Sequence, residues 1–243
     1  MSCSRRTFLI GVGAIACAGS LAPLCAEGSE SPRRLALVID LARCRQARPG
    51  CDLCRQACHS AHNVPSIPDR AHEIKWIWDE DFKRVFPEEV RPGLPQEIAD
   101  SSVPVLCNHC DNPPCVRVCP TGATFVKPNG IVGMDEHRCI GCRYCMSACP
   151  YGSRSFNYVD PKPYLPTTNA DYPTRTRGVV EKCTFCEERL ANGKRPACVE
   201  ACPVQAMTFG DIRDPAIQAR LASTRILRRR PELGTSPYVF YIL

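Results

Sequence analysis

Sixteen of the 19 cysteines in this 243-residue chain fall into four groups of four. They are Cys44, Cys51, Cys54 and Cys58; Cys107, Cys110, Cys115 and Cys119; Cys139, Cys142, Cys145 and Cys149; and Cys183, Cys186, Cys198 and Cys202. So many thiols in one chain serve either a disulfide framework or metal ligation. Cysteines three residues apart are poorly placed to bridge one another, so the spacing favours metal.

The third group, "CIGCRYCMSACP", is C-x2-C-x2-C-x3-C-P without deviation. Cysteines at every third residue wrap three irons of a cubane iron-sulfur cluster, while the fourth points away and ligates a neighbouring cluster. The proline after it suits the first turn of a short helix. The second group, "CNHCDNPPCVRVCP", widens one gap to four residues, and the fourth, "CTFCEERLANGKRPACVEACP", widens the same gap to eleven. Zinc ribbons also use C-x2-C pairs but do not need this longer pattern. The first group deviates differently, because six residues separate Cys44 from Cys51 where two are expected. Cys44 completes the fourth quartet, and "RQARPG" reads as an enlarged ligand loop turned back by Pro49 and Gly50.

The elements that carry these loops repeat as well. Aliphatic runs "LALVID", "GIVGMD" and "GVVEK" precede Cys44, Cys139 and Cys183 and read as short strands. "CPTGATF" and "CPVQAMTF" follow two groups alike, with Ala123 and Ala206 each four residues beyond the last cysteine.

Near the N-terminus, "SRRTFLIGVGAIACAGSLAPLCA" sets Arg5 and Arg6 before a short Gly/Ala-rich apolar run. It reads as a twin-arginine signal peptide cleaved between Ala18 and Ser29. Removing it takes Cys3, Cys17 and Cys25 and leaves the sixteen grouped cysteines. No later stretch approaches membrane-spanning length, and a formal charge of +6 is too mild to imply nucleic acid. There is no P-loop, dinucleotide fingerprint, nucleophile elbow or haem attachment motif, hence no visible catalytic residue or substrate site.

The four groups resemble the four-cluster ferredoxin subunits of the dimethyl-sulfoxide-reductase and formate-dehydrogenase class. The resemblance implies an α+β fold of two pseudo-symmetric bacterial-ferredoxin-like units. Residues 30–66 with 176–212 form one and 103–160 the other; an insertion spans 67–102, a linker 161–175, and a basic helix with a docking tail 213–243. It also implies four 4Fe-4S clusters, with sixteen cysteines as iron ligands: Cys44, Cys51, Cys54 with Cys202; Cys183, Cys186, Cys198 with Cys58; Cys107, Cys110, Cys115 with Cys149; and Cys139, Cys142, Cys145 with Cys119. "HEIKWIWDEDFKRVFPEE" and the closing "GTSPYVFYIL" bring the chain closer to the exported DsrO-type subunits of sulfite-reduction-associated Dsr membrane complexes. That likeness implies a peripheral subunit at the periplasmic or extracytoplasmic face. Its partners would be an integral membrane quinone-linked subunit, a periplasmic multihaem cytochrome c and further Dsr subunits, with no nucleic acid. The alternative is the electron-transfer subunit of a molybdenum oxidoreductase or a nitrite-reductase system.

Other residues have plainer expectations. His59, His62, Asn63 and His109 are read as groups bonding backbone or cluster sulfur rather than as ligands. Trp76 and Trp78 suit an interface anchor or local packing. Arg213, Arg220, Arg225, Arg228, Arg229 and Arg230 read as a basic, mostly helical surface next to an apolar tail that docks to a partner.

Overall fold

The computed structural model describes residues 33–47, 50–222 and 225–243. The twin-arginine stretch, its three cysteines and Pro49 lie outside the described residues. Among the described residues no helix is long and apolar enough to cross a membrane.

Strand β1 (Leu35–Asp40) is buried along its whole length. A strand covered on both faces reads as an unbroken apolar run, as "LALVI" does. On one side it pairs antiparallel with β8 (Met207–Asp211), and on the other parallel with β10 (Val239–Ile242), beyond which lies β9 (Ile226–Leu227). Alternation splits the sheet into two faces. Leu35, Leu37, Ile39, Val239 and Tyr241 face the main core. Ala36, Val38, Phe240 and Ile242 pack with Ile217 of α9 (Pro215–Ala222).

The apolar C-terminus is therefore not a docking tail. "VFYI" is apolar because it is β10, a central strand whose partner stands at the other end of the chain. The neighbouring arginines do not form a basic helix either, since only Arg220 lies in α9. Arg213 bonds Asp211 at 2.9 Å and Arg220 bonds Asp40 at 3.1 Å. Arg225 pairs with Glu89, Arg230 donates to the Pro150 carbonyl at 2.9 Å, and Arg228 and Arg229 lie over the rings of Phe240 and Tyr151.

The expected insertion also belongs to the core. β2 (Ile77–Asp81) and β3 (Ser102–Leu106) pair antiparallel from Ile77 opposite Leu106 to Asp81 opposite Ser102. β3 leads directly into Cys107, so a strand precedes the second cysteine group as it does the others. Pro104 hides it in the sequence, since proline is tolerated only where no ladder bond is needed. Phe82 and Phe86 are fully buried, and Phe86 meets the Tyr241 ring edge-on at 5.1 Å. The Tyr241 hydroxyl donates to the Pro104 carbonyl at 3.2 Å, tying β3 to the C-terminal strand.

Two smaller hairpins complete the strands: β4 (Thr124–Val126) with β5 (Val132–Met134), and β6 (Ser155–Phe156) with β7 (Val180–Glu181). Before α9 the helices are α1 (Leu41–Gln46), α2 (Leu53–Ala61), α3 (Phe82–Val85), α4 (Gln96–Ala99), α5 (Pro114–Arg117), α6 (Tyr144–Ala148), α7 (Glu187–Ala191) and α8 (Ala197–Glu200). The expected mixture of short helices and short strands is what the chain forms.

Trp76 is a core residue rather than an interface anchor, at 1 % exposure, and Trp78 is also buried. The Trp76 indole N–H donates to the Glu181 carboxylate at 2.6 Å, and its ring stacks on His62 at 4.7 Å. Glu181 also accepts from Asn157 at 2.6 Å and from Arg175 at 2.7 Å. Arg175 donates further to the carbonyls of His62 and Asn63. The segment 161–175 is thereby anchored rather than a free linker. Asn169 bonds the Asn63 side chain and the Ala61 carbonyl, both at 2.7 Å, where α2 ends.

Glu181 and Arg175 are both buried, so Glu181→Gln leaves an uncompensated guanidinium inside the protein. Its expected cost is about 3–5 kcal/mol of unfolding free energy, measured by denaturant titration. Lys127→Ala, which breaks the half-exposed pair with Glu187, should cost about 1 kcal/mol or less in the same assay.

Candidate metal centres

Three of the C-x2-C loops share one backbone device. The residue before the second cysteine has positive φ in each: His109 at +41°, Gly141 at +69° and Phe185 at +56°. A left-handed residue reverses the chain within the loop and lets both sulfurs of a pair turn toward one centre. At position 141 a β-carbon would collide with the Gly178 carbonyl oxygen, so glycine is required.

At 109 and 185 the strain of a non-glycine residue, about 1–3 kcal/mol each, has a visible counterweight. The two rings stack on each other with centroids 3.6 Å apart and planes at 17°. Such a pair contributes about 0.5–1.5 kcal/mol, which does not by itself cover the strain. The Val132 N–H donating to His109 Nδ1 at 3.1 Å and the burial of both rings supply the rest. The second and fourth cysteine groups are thus locked together through their strained residues.

Three of the four expected quartets each line a cavity. Cys58, Cys183, Cys186 and Cys198 line one together with Phe185 and Trp76. Cys107, Cys110, Cys115 and Cys149 line another, with Asn108 and Arg154 in its wall. Cys119, Cys139, Cys142 and Cys145 line a third, with Thr124 and Met134. None of the sixteen cysteines is in a disulfide.

The donor set fits cubane clusters. Burial, and then the neighbouring cysteines, push the thiols of Cys58, Cys183 and Cys198 well above their ordinary range and that of Cys110 to about 12. Four thiols converging in a dry cavity repel one another once ionised, and a cluster of irons removes that penalty. Backbone N–H groups point at the sulfurs: Phe185 to Cys183 and Ala197 to Cys186 at 3.4 Å, Val180 to Cys139 at 3.5 Å, and Ala206 to Cys202 at 3.2 Å. Buried polar atoms without a protein partner gather in the same loops, namely the Asn108 amide, His109 Nε2 and Thr184 Oγ1. Cluster sulfides accept from just such donors.

The remaining set, Cys44, Cys51, Cys54 and Cys202, is related by strand register. In the hairpin that leads to the Cys119 and Cys139 cavity, Thr124 stands opposite Met134, and the Asp135 N–H donates to the Ala123 carbonyl at 2.7 Å. In the central sheet Met207 stands opposite Ile39, and the Asp40 N–H donates to the Ala206 carbonyl at 2.8 Å. Counting outward, Cys44 and Cys202 lie as far from their paired strands as Cys139 and Cys119 do. Arg220 clamps the same corner, donating to the Asp40 carboxylate at 3.1 Å and to the Gln205 carbonyl at 3.4 Å. Cys54 projects from α2, near enough to Cys58 and Cys198 to raise the pKa of both.

The histidines do other work. His62 Nδ1 lies 2.8 Å from the Cys58 carbonyl oxygen and Nε2 2.9 Å from Glu188 Oε1. Burial opposes its protonation, but hydrogen bonds to Cys186 and Glu188 outweigh this and lift it to about 9. His62, Cys186 and Glu188 have donor atoms within 4.8 Å of one another, yet both ring nitrogens of His62 already have acceptors. His59 bonds the Ile77 carbonyl at 3.3 Å and is held neutral by burial, its pKa lowered to about 4. Asn63 bonds the carbonyls of Asn169 and Tyr172. Arg154 and Lys182 carry no signal in the sequence, although Arg154 reaches the Cys115 sulfur at 3.1 Å and Lys182 the Cys183 carbonyl at 2.6 Å.

A protein-family model described as a 4Fe-4S dicluster domain matches residues 98–212, which hold the second, third and fourth cysteine groups. With the thiol-lined cavities, this defines the class: a ferredoxin-type 4Fe-4S protein. The chain is 41 % identical to the Hdr-like menaquinol oxidoreductase iron-sulfur subunit 1 of Archaeoglobus fulgidus, over 98 % of this chain and 97 % of the relative. It is 39 % identical to a tetrathionate reductase subunit of Salmonella typhimurium, over 100 % and 89 %. It is 36 % identical to the iron-sulfur cluster-binding subunit of the menaquinone reductase of Nitratidesulfovibrio vulgaris, over 85 % and 87 %. The chain belongs to this family of iron-sulfur electron-transfer subunits of oxidoreductases.

Cys44→Ser tests the register argument. The variant should lose about a quarter of its iron or show one signal converted to that of a three-iron cluster, read by iron analysis and EPR of anaerobically purified protein. A full complement of unchanged signals would make Cys44 a bystander.

Proposed function

We propose that the sixteen cysteines hold four 4Fe-4S clusters in two pseudo-symmetric ferredoxin-like halves, and that the chain relays single electrons along them. The observation that carries this reading is the contiguity of the quartets. The Cys119/Cys139 cavity and the Cys107/Cys149 cavity share a wall at Arg154, which bonds Cys115 on one side and Thr124 on the other. The Cys107 and Cys183 groups meet through the His109–Phe185 stack. The Cys58 and Cys198 thiols adjoin Cys54 of the remaining set. This gives a linear order of four sites from the Cys139 loop to the Cys44 corner. Clusters supply the one-electron chemistry; the protein fixes their spacing and tunes their surroundings.

The finer reading is a Dsr-type sulfur-metabolism complex. In it the chain works at the extracytoplasmic face after twin-arginine export, between an integral membrane quinone-linked subunit and a multihaem cytochrome c. The Trp-containing segment and the C-terminal strand, on which the likeness to DsrO-type subunits rests, support it. So does the full-length match to an iron-sulfur subunit named for menaquinol oxidation. The rival is the electron-transfer subunit of a molybdenum oxidoreductase acting on a sulfur or nitrogen compound, or of a nitrite-reductase system; the match to a subunit named for a tetrathionate reductase favours a reductase of a sulfur compound.

Anaerobically purified protein should contain four irons and four acid-labile sulfides per quartet and no zinc; zinc in place of iron would refute the relay. Affinity capture of the native complex should bring down a membrane subunit and a c-type cytochrome. Recovery of a molybdopterin subunit instead would decide for the rival.

A further inference from the structure

Arg154 is 4 % exposed, and among the described residues no carboxylate pairs with it. Its guanidinium donates to the Cys115 sulfur at 3.1 Å and to Thr124 Oγ1 at 2.7 Å, and lies 3.7 Å from the Met134 sulfur. Arg154 lines the cavity of Cys107, Cys110, Cys115 and Cys149, whereas Thr124 and Met134 line that of Cys119, Cys139, Cys142 and Cys145. The charge therefore stands in the partition between two sites, bonding Cys115 of one and also meeting Cys145 of the other.

A buried cation without a counterion is costly, and elsewhere in this core the cost is met in the ordinary way, as when Arg175 faces Glu181. Here, among the described residues, the groups at hand that can carry a negative charge are the cysteine sulfurs it meets. A guanidinium keeps its proton at any pH at which a protein folds, so the charge is permanent. The position is also asymmetric. Arg154 lies five residues after Cys149; five residues after Cys58 stands Asn63, whose amide turns to the carbonyls of Asn169 and Tyr172 instead of to sulfur.

Resting on the four-cluster reading above, we propose that Arg154 sets the reduction potential of the cluster held by Cys107, Cys110, Cys115 and Cys149, raising it by favouring the reduced form. Reduction adds one negative charge to the cluster. A fixed positive charge hydrogen-bonded to a ligating sulfur, in surroundings of low dielectric, stabilises that form. The cluster of Cys119, Cys139, Cys142 and Cys145, which Arg154 meets at Cys145 and through Thr124 and Met134 but less closely than it meets Cys115 and Cys107, receives a smaller lift. Arg154 is thus a positioning residue for the path of electrons between the two.

The test is an EPR-monitored redox titration of the anaerobic holoprotein and of Arg154→Gln and Arg154→Lys, with Cys115→Ser identifying the signal of this cluster. In Arg154→Gln the iron content should stay at the parent's level. Its reduction equilibrium should become at least tenfold less favourable, about 59 mV for one electron. The Cys139-side signal should shift less, and the other two should stay in place. Arg154→Lys, which keeps the charge but loses the fork, should fall between the two. Unchanged potentials in the Gln variant, or an equal shift of all four signals, would overturn the proposal. Should the Gln variant lose its cluster, Arg154→Met takes its place as the neutral variant, and a potential equal to the parent's in it overturns the proposal. Iron missing from the parent protein itself would count against the four-cluster reading instead.

Discussion

Cys58 and Cys183 come from distant parts of the chain, and bringing their sulfurs into one dry cavity is what much of the remaining structure is arranged around. Closing so long a loop has an entropic cost that no thiol contact offsets before metal arrives. The offset comes from apolar burial and from one ion pair. β1 brings the first cysteine group beside β8 and hence beside Cys202, while Glu181, directly before the Cys183 loop, is gripped by Trp76, Asn157 and Arg175. Since Arg175 also holds the carbonyls that follow α2, the helix bearing Cys58 and the strand leading to Cys183 share one set of bonds.

Much of the candidate site is legible in the sequence, because ligand spacing is a local property. C-x2-C-x2-C-x3-C states its geometry within eleven residues, and the aliphatic runs before Cys44, Cys139 and Cys183 announce their strands. What escapes is whatever depends on a distant partner. "VFYI" looks like a spare apolar tail until β1 is seen beside it, and Trp76 suits an interface anchor as well as local packing until Glu181 and His62 are placed against it. Pro104 conceals the strand before Cys107. Arg154 is one arginine among many in the sequence, and only the fold sets it against Cys115.

The enlarged loop at Cys44 shows how much a repeated unit can vary while its frame is kept. Its partner hairpin has a short β4 and β5 joined by a tight turn, whereas β1 and β8 come from opposite ends of the described chain. The register relative to the cysteines is nevertheless the same in both. Register is rigidly specified where a strand is buried, because a slip of one residue would turn every side chain to the wrong face. Loop length beyond the strand is comparatively free. An insertion between Cys44 and Cys51 is tolerated for that reason, and a shift of β1 would not be.

The stack of His109 on Phe185 bears on how such a protein matures. Each ring sits on a backbone conformation that is unfavourable by itself, and each is held there by the other. A nascent second half, synthesised before Phe185 exists, lacks the ring that keeps the Cys107–Cys110 loop in its final shape. On the four-cluster reading, the loops of Cys107 and Cys183 are consequently not finished separately, since each supplies the ring that supports the other's ligand loop.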